Sequence, residues 1–287
     1  MSNLAQLTFG ERLCDAVNKY GPVCAGIDPH PHLLRAWGLD TTPEGLDTFT
    51  NRCVEAFVDA AAIVKPQIAF FEAYGSAGLR VYEEACRRLR QAGTLVLADA
   101  KRGDIGSTMA AYAQAWLAPG SPLEADAVTV SPYLGFGSLQ EAVSLAQTHG
   151  KGVFVLAATS NPDGPSIQHA VDTNGTRLDA QIVAHVANAN AEAARHGQLG
   201  AIGIVLGATV ADPPALTNLN GPVLMPGVGA QGATFADVAQ LTANVEALAL
   251  PSLSRSLLQS GPAVADLRKA VWLANEQACA TAGVSNQ

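Results

Sequence analysis

The sequence predicts a single (β/α)8 TIM barrel over residues 1–287, and three observations carry that expectation. Eight short apolar runs recur along the chain, most of them continuous, as parallel strands covered on both faces should be. Longer amphipathic stretches separate them, which is the pattern of strand–helix units. The length is near the usual size of such a barrel, and no linker, composition shift or repeat marks a second domain. A doubly wound open sheet has the same order of elements, because periodicity does not show closure.

Residues 8–20 precede the first strand and read as an extra helix placed to cover the barrel floor. Strands are expected at Val23–Ile27, Ala62–Lys65, Thr94–Ala98, Ala127–Val130, Gly152–Ala157, Ala201–Leu206, Pro222–Met225 and Ala247–Leu250. A helix over 43–61 opens on the start signal Pro43-Glu44. Residues 75–91 carry a charged face, and further helices are expected at 107–117, 138–148, 178–196, 234–241 and 262–281. The segment after Leu206 is short for a full helix.

Only 15% of residues are charged and 48% are hydrophobic, a composition for a packed globular chain rather than a disordered one. The net charge of −8 argues against a general nucleic-acid binder, while leaving room for one local basic phosphate pocket. No apolar run reaches membrane-spanning length, and Met1-Ser2-Asn3-Leu4-Ala5-Gln6 lacks a signal-peptide pattern. Cys14, Cys24, Cys53, Cys86 and Cys279 are scattered without a C-x-x-C, which reads as reduced thiols in a cytoplasmic protein.

The most informative stretch runs from Ala98 to Thr108, after the apolar run Gly93-Thr94-Leu95-Val96-Leu97. Asp99, Lys101, Arg102 and Asp104 stand where a buried strand should end. Asp99 and Lys101 are two apart and share one face while the strand lasts. Charge is costly to bury unless it is paired or used, so the pattern suggests a charge network in a pocket. Arg102 points away from that face and reads as a solvated neighbour.

Barrel enzymes place their sites at the C-terminal ends of the strands. Those ends supply Asp28 (strand 1), Lys65 (strand 2), Ser131-Pro132-Tyr133-Leu134-Gly135 (strand 4), Thr159-Ser160-Asn161-Pro162 (strand 5), Pro226 to Gly232 (strand 7) and Arg255 (strand 8). Each has a plainer reading alone. Asp28 before Pro29 also suits a turn or a helix cap, Lys65 can snorkel to the surface, and Arg255 can be an ordinary surface arginine. So many charges at one end of one barrel favour a site over these separate explanations. Gly227–Gly232 offers backbone N–H groups ahead of a helix starting near Thr234, and barrels often bind phosphate in their last two loops. Arg255 adds a two-pronged cation and Gln231 an amide donor.

Other chemistries fit less well. Gly227, Gly229 and Gly232 match the dinucleotide fingerprint, with Glu246 near the ribose-binding spacing. The motif falls in the seventh unit instead of the first, however, and Glu246 precedes its strand rather than ending one. His30 and His32 suggest a metal pair, but His149, His169, His185 and His196 do not fall at strand ends to complete it. No G-x-S-x-G nucleophile motif is present.

These residues resemble the orotidine 5′-phosphate decarboxylase family from Asp28 to Arg255, nearly the whole barrel. Asp99-x-Lys101-x-x-Asp104-Ile105-x-x-Thr108 and Pro226-Gly227-Val228-Gly229-Ala230-Gln231-Gly232 carry the resemblance most strongly. The Thr159–Pro162 and Ser131–Gly135 stretches, the insertion after Asp28 and the length resemble its longer, mycobacterial-type branch. The resemblance implies cofactor-independent, metal-free conversion of orotidine 5′-phosphate to UMP and CO2 in de novo pyrimidine biosynthesis. It implies that Asp28 and Lys65 bind the ribose hydroxyls, and that Asp99 and Lys101 face C6 and its carboxylate. Asp104, Ile105 and Thr108 would reach into a partner's site, making the active unit a homodimer. Ser160, with Thr159 as its rival, would contact the pyrimidine. Pro226 would pack near the base, and Gln231 and Arg255 would hold the 5′-phosphate, with the loops after strands 5 and 7 closing over the substrate.

Decarboxylation at C6 leaves a carbanion, and the sequence shows no pyridoxal, thiamine or metal signature to act as an electron sink. Lys101, held between carboxylates, would stay cationic beside that carbanion and then protonate it. Repulsion between Asp99 and the substrate carboxylate, about 4 kcal/mol for like charges ~4 Å apart at an effective dielectric near 20, would be relieved as CO2 leaves. Two alternatives remain at this stage. One is a metal-dependent phosphosugar decarboxylase or epimerase on the same barrel, for which Glu72 is a candidate ligand and Lys65 an obstacle. The other is a non-catalytic nucleotide-binding barrel.

Overall fold

The computed structural model describes residues 7–243, 245 and 247–282; Met1–Gln6 and Glu246 lie outside the described residues. The chain runs α1 (Phe9–Tyr20), β1 (Cys24–Ile27), α2 (Pro31–Ala36), α3 (Pro43–Phe57), β2 (Ile63–Pro66), α4 (Ile68–Glu72), α5 (Gly75–Gln91), β3 (Leu95–Arg102), α6 (Gly106–Leu117) and β4 (Ala127–Val130). A 3-10 turn (Phe136–Leu139) leads into α7 (Gln140–Thr148), β5 (Gly152–Ala158), α8 (Gly164–Gln168), α9 (Leu178–Ala189), α10 (Ala191–Arg195), β6 (Ile202–Leu206), β7 (Gly221–Pro226), α11 (Phe235–Leu241), β8 (Ala247–Leu253), α12 (Arg255–Leu258) and α13 (Val264–Ala282). The eight strands pair in sequence order, all parallel, and β8 closes onto β1. Closure settles the choice between barrel and open sheet in favour of the (β/α)8 barrel.

All eight expected strands form. The differences lie in the helices. The expected helix 43–61 stops at Phe57, before Asp59 turns into the left-handed region at φ 58°. The expected helix 178–196 is interrupted at Asn190. The buried Asn190 amide donates to Ile202 and Leu219 carbonyls and accepts from the Ile202 N–H, so its side chain serves β6 and the segment that leads into β7. No helix follows β6 before β7. The short helices α2, α4, α8 and α12 carry too few residues to register as a 3.6-residue period.

The barrel interior is layered by the strand period of two. Ile63, Leu95, Leu97, Phe154, Val205, Leu224 and Leu250 fill its lower part together with Phe9 and Leu13 of α1. Phe9 meets Phe154 edge-on at 6.1 Å, so α1 covers the floor as expected. A Thr8–Glu11 capping box starts that helix. At the same end Lys151 pairs with Glu124 (2.8 Å) and Arg12 with Asp126 (2.9 Å), an ion cluster tying α1 to the strand starts. One step further up, the inward positions turn polar.

Candidate active site

The inward faces of β1, β2 and β3 end in Asp28, Lys65 and Asp99, and their side chains meet. Lys65 Nζ lies 3.2 Å from Asp99 Oδ2, 3.7 Å from Asp28 Oδ1 and 3.2 Å from Gln67 Oε1. Lys101 Nζ donates to the other Asp99 oxygen at 2.5 Å. Gly26 makes room for the group, since a Cβ there would stand 1.9 Å from Ser254 Oγ and 3.1 Å from Asp28 Oδ1. Asp28 Oδ1 is buried without a hydrogen-bond partner from the protein, an acceptor left over for a ligand.

Burial disfavours charge on Lys65, but Asp28 and Asp99 outweigh it and hold the ammonium above its usual pKa. Burial likewise works against the Asp99 carboxylate. Lys65 and Lys101, with hydrogen bonds from Lys101 and Thr129, nonetheless pull its pKa down to about 2. Burial pushes the neighbouring Cys24 thiol up to about 12, which keeps it protonated and inert at neutral pH.

These groups open into a cavity of about 260 Å³ that is also lined by Thr159, Pro226, Gln231, Ser252, Ser254 and Arg255. Two larger hollows, about 740 and 670 Å³, have no lysine or arginine in their walls, and a third, about 380 Å³, sets Arg80, Arg87 and Arg90 against Glu83, Glu84 and Glu124 away from the strand ends. The small cavity therefore brings together Asp28, Lys65, Asp99, Lys101, Pro226, Gln231 and Arg255 from the sequence reading. Thr159 lines it directly; Ser160 is exposed beside it and donates to Gln231 Oε1 at 2.9 Å. Asp104, Ile105 and Thr108 do not line it within one chain. Asp104 accepts the Ile105 N–H at 2.8 Å, Ile105 is 63% exposed, and Thr108 is exposed on the first turn of α6.

Two expectations are corrected. The N–H groups of Gly229, Ala230, Gln231, Gly232 and Ala233 all donate to carbonyls within the loop, so they are not presented to a phosphate. The positive φ of Gly227, Gly229 and Gly232 lets the segment curl onto itself in this way. Of the expected anion-binding groups, the side chains of Arg255 and Gln231 line the cavity, together with Gly227 and Val228 at the start of the loop. Arg102 is not simply solvated either: it pairs with Glu72 and lies over the Trp116 ring at 5.4 Å. That pairing takes Glu72 away from the cavity. Among the described residues no cluster of three or more His, Cys, Asp and Glu is arranged to hold a metal ion.

Sequence reasoning passed over Gln67 and Thr129. Gln67 stands two residues after Lys65, the spacing that shares a strand face, so the same rule applied at β2 finds it. Thr129 sits in the apolar run Ala127-Val128-Thr129-Val130, where a threonine reads as a β-former and nothing more.

Comparison with known proteins identifies the family. Residues 21–270 match the Orotidine 5′-phosphate decarboxylase / HUMPS family. The orotidine 5′-phosphate decarboxylase of Corynebacterium efficiens is 56% identical over 264 residues, 92% of this chain and 94% of that protein. That of Corynebacterium glutamicum strain R is 52% identical over 265 residues, 92% and 95% of the two chains. A crystal structure from Streptomyces avermitilis, assigned as an orotidine 5′-phosphate decarboxylase, superposes with a TM-score of 0.92 at 47% identity and covers 99% of each chain. The chain belongs to the orotidine 5′-phosphate decarboxylase family.

Proposed function

We propose that this member of the orotidine 5′-phosphate decarboxylase family converts orotidine 5′-phosphate to UMP and CO2, a step of pyrimidine biosynthesis, with its own side chains as the only catalytic groups. The observation that carries the reading is the alternating row Asp28, Lys65, Asp99, Lys101, with neighbours 2.5–3.7 Å apart at the end of the barrel. Such a row keeps the buried Lys65 ammonium charged where burial alone would disfavour its charge, and sets the Lys101 ammonium against the ionised Asp99.

In the reaction the bond from C6 to the carboxylate carbon breaks, its electron pair stays on C6, and CO2 leaves. C6 then takes a proton from Lys101 Nζ. Lys101 is suited to this because Asp99, which remains ionised, stabilises its cation before the transfer. Asp99 would also repel the substrate carboxylate, a strain that departure of neutral CO2 removes. Asp28, with its unused acceptor, and Lys65 are suited to the ribose hydroxyls. Arg255 and Gln231 supply donors for the 5′-phosphate, and Pro226 gives an apolar wall for the base. Binding energy from the phosphate, remote from C6, can be spent on closing the loops after β5 and β7, which Ser160 and Gln231 already join.

The active unit in this reading is a homodimer, with Asp104, Ile105 and Thr108 completing the partner's site. Support comes from their place just beyond the network, Asp104 and Ile105 between β3 and α6 and Thr108 on the first turn of α6, and from the exposure of Ile105. The reading also places the enzyme in the cytoplasm. Among the described residues no helix is long and apolar enough to cross a membrane, and no disulfide is present.

The test is to follow loss of orotidine 5′-phosphate absorbance with purified protein in excess EDTA. Formation of UMP at an undiminished rate supports the reading. Turnover that EDTA abolishes would favour the metal-dependent phosphosugar chemistry, and binding without turnover a nucleotide-binding barrel.

A further inference from the structure

We propose that Thr129 is a positioning residue for the decarboxylation: its one hydroxyl orients the Asp99 carboxylate and at the same time holds the Lys101 backbone. The inference rests on the reading of Asp99 and Lys101 as the catalytic pair.

Thr129 is fully buried on the inward face of β4. Its Oγ1 accepts the Lys101 N–H at 2.9 Å and donates to Asp99 Oδ1 at 2.9 Å. The direction of both bonds is fixed by chemistry, because an amide N–H can only donate and an ionised carboxylate can only accept. The same Asp99 oxygen receives Lys101 Nζ at 2.5 Å. A closed circuit results, from the Lys101 amide through Thr129 to Asp99 and back to the Lys101 ammonium.

The circuit answers a local backbone problem. Lys101 adopts φ 49°, a left-handed conformation that a side chain with a Cβ rarely takes. Pairing of β3 with β4 shifts register between Ala98 and Arg102, so the Lys101 amide loses its place in the ladder. Thr129 supplies the missing acceptor. The irregularity lets Lys101 leave the strand and still turn its ammonium back to Asp99. Strain of this kind persists where the surroundings over-determine it, and Thr129 is the part of the surroundings that touches both residues.

Thr129→Val keeps the shape and removes both hydrogen bonds. The expected result is a folded protein whose kcat falls at least about tenfold while KM for orotidine 5′-phosphate stays within about threefold. Asp99 is faced by Lys65 from β2, Lys101 from its own strand, Thr129 from β4 and Cys24 from β1, with Asp28 on the far side of Lys65. Loss of one donor to its charged form moves the acid limb of the kcat–pH profile to higher pH. Thr129→Ser retains the hydroxyl and stays within about threefold of wild-type kcat. If Thr129→Val proves unfolded, Thr129→Ala against Thr129→Ser makes the same comparison. Equal kcat in the pair with and without the hydroxyl overturns the proposal, as does an equal loss in kcat and 1/KM with an unmoved acid limb. Near-normal turnover by Lys101→Ala would instead overturn the underlying reading of the site, so the two failures are distinct.

Discussion

Lys65 and Asp99 are 34 residues apart in sequence and 3.2 Å apart in space, both almost wholly buried at the ends of adjacent strands. Neither tolerates the other's removal. A lone buried ammonium or carboxylate keeps its desolvation cost and loses the attraction that offsets it, typically about 3–5 kcal/mol for a broken buried pair. Asp28, at 3.7 Å from Lys65, supplies a second counter-charge too distant for a hydrogen bond. Each lysine is thus flanked by carboxylate, and Asp99 is the member shared by both.

The shared carboxylate should mark the stability–pH curve. The folded-state pKa of Asp99, about 2, lies below its ordinary 3.8. Its ionisation therefore stabilises the fold above about pH 4, and that contribution disappears as the pH falls through about 2. Lys65 is shifted upward, so its contribution is present at all lower pH and is lost only in strong alkali. Denaturant melts of wild type and Asp99→Asn should differ by about 3 kcal/mol or more near neutrality, and the gap should narrow below about pH 4. A gap that stays constant down to pH ~2 would show that Asp99 is not held ionised by the fold.

Lys101 is more dispensable to the fold than to the chemistry. Its side chain is 44% exposed, and without it Asp99 keeps Lys65 and Thr129. Lys101→Ala should melt within about 4 °C of wild type. Its turnover of orotidine 5′-phosphate should fall by ~10³ or more, since proton donor and carbanion-stabilising charge vanish together. Single-turnover assays with enzyme in excess would detect any residual chemistry.

Arg255 should separate binding from chemistry. It is exposed on the rim at the first turn of α12 and lines the cavity, three strands round the closed barrel from the β3 that carries Lys101. Arg255→Ala should raise KM about tenfold or more, the loss expected for hydrogen bonds to a charged group. Arg255→Lys should recover only part, because an ammonium lacks the two-pronged fork. An unchanged KM would remove Arg255 from the phosphate site.

The parts of this molecule legible in its sequence are those written by the strand period. Eight apolar runs gave eight strands, and the two-residue spacing of Asp99 and Lys101 placed both on the inner wall. Burial of charge was a weaker guide. Lys151, Glu124 and Asp126 are as buried as Lys65, yet they tie the barrel floor to α1. Asp126 and Lys151 stand immediately before their strands, whereas Lys65 and Asp99 stand near the ends of theirs, and that difference separates scaffold from site. Features that depend on backbone conformation were not legible. Nothing in Gly227–Gly232 announces that the amides from Gly229 on turn onto the loop's own carbonyls, and nothing in Ala127–Val130 announces that Thr129 serves two residues of the preceding strand.

The Ser160–Gln231 bond gives a measure of how far the loops after β5 and β7 act together. It is a 2.9 Å contact between exposed side chains 71 residues apart. Ser160→Ala and Gln231→Ala should each lower kcat/KM, and the double variant should lose less than the sum. A coupling of roughly 0.5–1.5 kcal/mol is expected from a double-mutant cycle on kcat/KM. Strict additivity would mean that the loops engage substrate independently.

The placement of Asp104 makes subunit mixing the decisive test of a shared site. Asp104 follows Lys101 by three residues, but it bonds the Ile105 amide and does not line the cavity of its own chain. If it serves the partner's site, Lys101→Ala and Asp104→Ala should each be inactive as pure dimers. Dissociated and re-associated as an equal mixture, half of the dimers carry one variant of each kind. In such a dimer one site inherits both defects, and the other combines an intact Lys101 with an intact Asp104 from across the boundary. About a quarter of wild-type activity should therefore return on mixing, a twofold symmetric interface making every contribution reciprocal. Sites built within one chain would stay dead in any mixture, so persistent inactivity after verified subunit exchange would place Asp104 outside the partner's site.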